Sequence, residues 1–92
     1  MSYQVVWTSK FKKDYKHAIK KGLNIELLDN AIRLLAENGN LPEFYHDHAL
    51  KNNWNGFREC HIEPDWLLVY EIKNDILILM LYRLGSHSEL FK

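Results

Sequence analysis

Two almost unbroken apolar runs, Trp66 to Ile72 and Ile76 to Tyr82, are separated only by Lys73-Asn74-Asp75. No other feature limits the fold of this chain so strongly. A strand with one wet face alternates polar and apolar residues, whereas these runs do not, so both read as strands in the interior of a sheet. The Lys-Asn-Asp segment is turn chemistry and makes the two runs neighbours. Such a sheet needs a cover, and the upstream sequence supplies it.

Tyr3-Gln4-Val5-Val6-Trp7 is β-branched and aromatic and predicts a short first strand. Thr8 or Ser9 can cap a helix in which Phe11, Tyr15, Ala18 and Ile19 recur as one apolar stripe, ended by Gly22. Asn24 can cap a second helix, with Leu28, Ala31, Ile32 and Leu35 on its buried side, Leu27 and Leu34 widening it, and Asn38-Gly39 as a left-handed stop. The short link between the helices predicts an antiparallel hairpin.

Residues 40–56 read as a long loop rich in His, Asn and Asp. Phe57 to Ile62 then alternates as a strand, and Pro64 breaks the ladder, leaving Asp65 at a strand mouth. After Gly85, Ser86-His87-Ser88-Glu89 fits a capping box for a short helix that carries Leu90 and Phe91. The expectation is an α+β fold over residues 1–92 as a single domain. Its order is β-α-α-β-β-β-(α), with an antiparallel-type sheet and the N-terminal helical hairpin on one face.

The chain has 12 basic and 12 acidic residues, so its formal net charge is zero. Residues 1–25 nevertheless hold six lysines against Asp14 alone. Lys12, Lys16 and Lys20 fall in one helical row, where like charges repel unless they meet an anion. That row is either a solvated face or a phosphate-contacting one. Cys60 is the lone cysteine, which excludes an internal disulfide and fits a reducing cytoplasm. In an alternating strand it is expected to be a small buried hydrophobe. The start, Met-Ser-Tyr-Gln, has no signal-peptide pattern, and the apolar runs are too short to span a bilayer. A cytoplasmic protein without a membrane partner is expected.

Chemistry concentrates between Trp54 and Trp66, where Arg58, His61 and Asp65 lie within thirteen positions, with His48 upstream and His87 near the end. RNA carries its own nucleophile, the 2′-hydroxyl. A nuclease need only take that proton, neutralise the phosphorane and protonate the leaving 5′-oxygen. Imidazoles titrate near neutrality, carboxylic acids can serve as the second group, and Arg58 or Arg83 can present a planar fork to phosphate. Trp66 is read as either a base contact or a buttress, and Phe91 as a base-stacking ring. The competing use is a metal site from His46, His48, His61, Asp65 and His87. No C-x-x-C or HExxH pattern supports it, and no metal or other cofactor is expected.

Three strings carry a resemblance: Tyr45-His46-Asp47-His48-Ala49-Leu50; Trp54-x-Gly56-x-Arg58-x-x-His61-x-x-Pro64-Asp65-Trp66; and Gly85-x-His87-x-x-Leu90-Phe91. They resemble the YafQ branch of the RelE/ParE toxin superfamily. The resemblance implies a RelE-like fold and a type II toxin that cleaves mRNA in the ribosomal A site. It implies a DinJ-like antitoxin that wraps the toxin and represses their operon, so that operator DNA is met only through the antitoxin. It places His48, His61, Asp65 and His87 on the acid–base positions, and Trp66 and Phe91 on supporting or base-contacting aromatics. Arg58 and Arg83 stand where a phosphate-stabilising cation is expected. The rival reading is a non-catalytic toxin, directed at gyrase in the manner of ParE, or a regulatory binding module. A pure binder has no need of several titratable groups around an arginine.

Overall fold

The computed structural model describes residues 2–91. Five strands form one sheet in the order β1-β5-β4-β3-β2: β1 is Gln4–Trp7, β2 His48–Ala49, β3 Arg58–Glu63, β4 Trp66–Lys73 and β5 Ile78–Gly85. Three helices accompany them: α1 (Ser9–Lys20), α2 (Ile25–Asn38) and α3 (His87–Leu90). All neighbouring pairs are antiparallel except β1 and β5, which run parallel. The α+β architecture and the helical hairpin agree with expectation.

Thr8 caps α1, accepting from the Phe11 N–H at 3.0 Å while its hydroxyl donates to the Tyr82 carbonyl at 2.9 Å. The same residue thus starts the helix and fastens it to β5. Asn24 caps α2, and Gly39 ends it in the left-handed conformation at φ 75°. Phe11, Ala18, Leu28, Ala31 and Leu35 meet Cys60, Ile62, Trp66, Leu68, Tyr70, Leu79, Leu81 and Leu84 in the main core. Ile19 departs from the expected stripe and is 52% exposed.

The other face of the sheet is also covered. Leu67 and Val69 pack with Leu50, Trp54, Phe57, Tyr82, Leu90 and Phe91. β4 is therefore buried on both sides, which is why its sequence does not alternate. The second apolar run begins later than its composition suggests. Ile76 and Leu77 lie in the hairpin connection, Ile76 being 57% exposed and Leu77 taking φ 52°. The Lys73↔Ile78 register leaves four residues for the turn, and Leu77 takes the left-handed position that glycine or asparagine usually fills.

The loop predicted over residues 40–56 contains a strand. It holds two 3-10 turns, Glu43–Tyr45 and Asn52–Trp54, with β2 between them. A two-residue strand is too short to leave a hydropathy pattern. Its consequence for the site is large, because it pairs His48 with Glu59.

Candidate active site

β3 alternates across the sheet, so Glu59 and His61 lie on one face and Arg58 on the other. β2 adds His48 directly opposite Glu59. The His48 Nε2 and Glu59 Oε1 atoms are 3.2 Å apart, and the His48 and His61 rings are 6.1 Å apart. One donor atom from each of His48, Glu59 and His61 lies within 4.8 Å of the others.

Both imidazoles are oriented by carbonyl oxygens. His48 Nδ1 is 2.8 Å from the His46 carbonyl, and His61 Nδ1 is 3.1 Å from the Pro64 carbonyl. A carbonyl can only accept, so each Nδ1 carries the proton and each ring keeps Nε2 for other work. Glu59 is the one buried charged residue among the described residues. Its second oxygen, Oε2, is buried with no hydrogen-bond partner among them. Such an orphan is costly in a core. Sequence reading missed Glu59, although the Arg58-Glu59-Cys60-His61 alternation would have placed it beside His61.

His87 is reached through the next strand. His61 pairs with Leu67, and Leu67 packs against Leu90 in the cluster that includes Phe91. Leu90 of α3 and the adjoining Phe91 thus pack on the sheet face that carries His48 and His61. Ser86 caps α3 in the expected capping box with Glu89. Asp65 Oδ1 accepts the His87 backbone N–H at 3.0 Å, which fixes the start of α3 to the β3–β4 turn. The His87 and Phe91 rings are 5.3 Å apart, and Phe91 continues to Trp54 at 5.3 Å.

The remaining candidates divide. Trp66 is 4% exposed and belongs to the helix-side core, where it has no face open to a base. Arg58, on the opposite face from Glu59, pairs with Asp47 at 3.3 Å, and Asp47 also accepts the Tyr70 hydroxyl at 2.6 Å. Arg83 makes a two-bond fork with Asp14, at 2.8 and 3.3 Å, and the Leu84 N–H donates to the same carboxylate at 2.9 Å. The Asp14 hydrogen bond raises the pKa of that guanidinium. Lys12 and Lys16 lie exposed on α1. Cys60 is fully buried and burial pushes its thiol pKa up, which agrees with the hydrophobe reading.

A profile of the family described as "Bacterial toxin of type II toxin-antitoxin system, YafQ" matches residues 3–92. The chain belongs to the YafQ toxin family. One relative, named mRNA interferase toxin YafQ, from Escherichia coli strain B / BL21-DE3, is 36% identical over 88 residues, covering 95% of this chain and 94% of its own length. The toxin in the crystal structure of the E. coli DinJ-YafQ toxin-antitoxin complex superposes with a TM-score of 0.90 at 33% identity, covering all of both chains. A metal-bound toxin from Helicobacter pylori superposes with a TM-score of 0.90 at 46% identity, covering 99% of this chain and all of that one. The sheet with its helical hairpin is therefore that of YafQ toxins. Among the described residues no helix is long and apolar enough to cross a membrane.

Proposed function

We propose that this YafQ-family protein is a metal-independent endoribonuclease that cleaves mRNA in the ribosomal A site, acting in the cytoplasm under the control of a DinJ-like antitoxin. The convergence of His48, Glu59 and His61 carries the reading, because it sets two imidazoles around one buried carboxylate. In the reaction the 2′-oxygen forms a bond to phosphorus and the bond from phosphorus to the 5′-oxygen breaks. One group takes the 2′-hydroxyl proton and another supplies a proton to the leaving 5′-oxygen. His61 and His87 are assigned these transfers. His48 turns its Nε2 to the Glu59 carboxylate, and Asp65 holds α3, and with it His87, in place through the backbone.

Arg83 is the phosphate-stabilising cation in this scheme and would exchange its Asp14 fork for phosphate oxygens, while Arg58, on the opposite face of β3 from His61, keeps Asp47. Phe91 offers its ring to a base, Trp66 supports the floor of the site, and Lys12 and Lys16 meet ribosomal phosphates. A binder directed at gyrase would gain nothing from a buried carboxylate between two imidazoles with one oxygen left unsatisfied.

Two imidazoles and a carboxylate also form a donor set suited to zinc or copper. A metal there would take the same Nε2 lone pairs that proton transfer needs, so metal occupancy is read as inhibitory. The test is His87→Ala, assayed for cleavage on translating ribosomes. The expected outcome is a loss of about 10²–10⁴-fold in rate with an unchanged circular dichroism spectrum. Full activity in this variant would overturn the assignment of His87.

A further inference from the structure

One groove lies beside the histidine cluster and outside the chemistry assigned above. It has a volume of about 480 Å³ and is lined by Leu27, Phe44, Tyr45, His46, His61 and Pro64, with Glu63 also among its lining residues. Phe44 is 71% exposed, a large apolar ring held in water by the 3-10 turn over Glu43–Tyr45. Tyr45 stacks behind it, with ring centroids 4.6 Å apart and planes at 28°. Phe44 therefore has a rigid backing while it stays largely open to solvent. His46 follows in the left-handed conformation at φ 50°, its ring edge-on to His61 at 5.9 Å. A non-glycine residue held at positive φ is a strained feature of the kind that collects at binding sites.

We infer that this groove is a nucleobase subsite, which takes the base of a nucleotide next to the scissile phosphate. The inference rests on the nuclease reading and extends it. Three observations favour an RNA base. His61 is a wall of the groove and also a member of the catalytic cluster, so the groove adjoins the place where the scissile phosphate would lie. No lysine or arginine lines the groove, which makes it a poor seat for phosphate and a good one for a flat, neutral ring. Glu63, a lining residue, carries an acceptor of the kind that an exocyclic amino group of a base can meet. His46, whose carbonyl orients His48, couples occupancy of the groove to the catalytic pair.

The experiment compares the full-length protein with Phe44→Ala on programmed ribosomes. The mRNAs carry either a normal base or an abasic residue at each position flanking the cut. Phe44→Ala should raise KM roughly tenfold, the size of one lost base stack, with kcat within about twofold of wild type. The abasic residue at one flanking position should produce a similar loss in the wild type and no further loss in Phe44→Ala. Because Phe44 is exposed, the variant is expected to fold normally, which circular dichroism checks. Unchanged KM in Phe44→Ala, or losses that simply multiply, would overturn the subsite. Unchanged cleavage with weakened antitoxin binding would assign the groove to the protein partner and overturn it equally. Absence of cleavage by the wild type itself would defeat the nuclease reading and the subsite with it, an outcome distinct from wild-type cleavage that ignores Phe44.

Discussion

His48 and Glu59 face each other across the shortest strand pair of the sheet, and the imidazole Nε2 lies 3.2 Å from a carboxylate whose other oxygen is buried without a partner. The contact is an ion pair when His48 is protonated. The pair sets a buried, half-satisfied carboxylate beside an imidazole. Replacing Glu59 by glutamine keeps the shape and removes the charge. Glu59→Gln is expected to stabilise the fold by about 1 kcal/mol, a rise in Tm of roughly 4–8 °C for a domain of this size, while cleavage falls by about 10²-fold or more. Thermal melts and ribosome-coupled cleavage measure the two sides. A loss of stability would show that Glu59 serves the fold.

Zinc separates the two uses of the cluster. Under the acid–base account, Zn²⁺ binds His48, Glu59 and His61 and suppresses cleavage, and a chelator selective for transition metals restores it. Binding should also raise Tm, since a ligand at about 100 times its Kd stabilises by roughly 2.7 kcal/mol. His61→Ala should abolish the Tm response. Cleavage that requires added zinc would reverse the assignment.

The two arginines are expected to behave oppositely. Arg58→Ala leaves Asp47 half-buried without its cation and should cost about 1–2 kcal/mol of stability, with kcat near wild type. Arg83→Ala should lower kcat by about 10²-fold or more through loss of transition-state charge stabilisation. Urea melts and single-turnover rates give the comparison. A large kcat loss in Arg58→Ala would mean that the side chain leaves Asp47 to reach substrate.

Acid should loosen the C-terminal helix. The Ser86 backbone N–H, bonded to the Glu89 carboxylate, lowers the pKa of Glu89 below its ordinary 4.5, with help from the Ser86 side chain, Lys21 and His17. A depressed carboxylate contributes stability that is fully present above its unfolded pKa and is lost as pH falls through the lower folded value. Trp54 fluorescence, which reports on Phe91 at 5.3 Å, should therefore change below about pH 4.5. Glu89→Ala, which removes the acceptor of the Ser86 N–H, should already show the loosened state at neutral pH. An identical acid response in both proteins would remove Glu89 from this role.

Long periodic features were legible in the sequence. The helical hairpin followed from its caps and stripes, and the central hairpin from the two apolar runs. The strings containing His48, His61, Asp65 and His87 pointed to the family. What escaped had weak or misleading local signals. β2 is two residues long, and Leu77 occupies a turn position that its side chain disfavours. Arg58 looked like a neighbour of His61 in sequence, but their odd spacing on one strand puts them on opposite faces. Glu59 escaped because a buried acid next to cysteine resembles an ordinary polar position until its partner strand is known.

Single-turnover cleavage of an mRNA carrying a 2′-deoxy residue at the cut position is the most direct test of the acid–base proposal. The account predicts that this substitution abolishes cleavage, and that the all-ribose message is cut in the presence of a transition-metal chelator to leave a 2′,3′-cyclic phosphate or its 3′-phosphate hydrolysis product. Continued cutting of the deoxy message, leaving a 5′-phosphate, would contradict it.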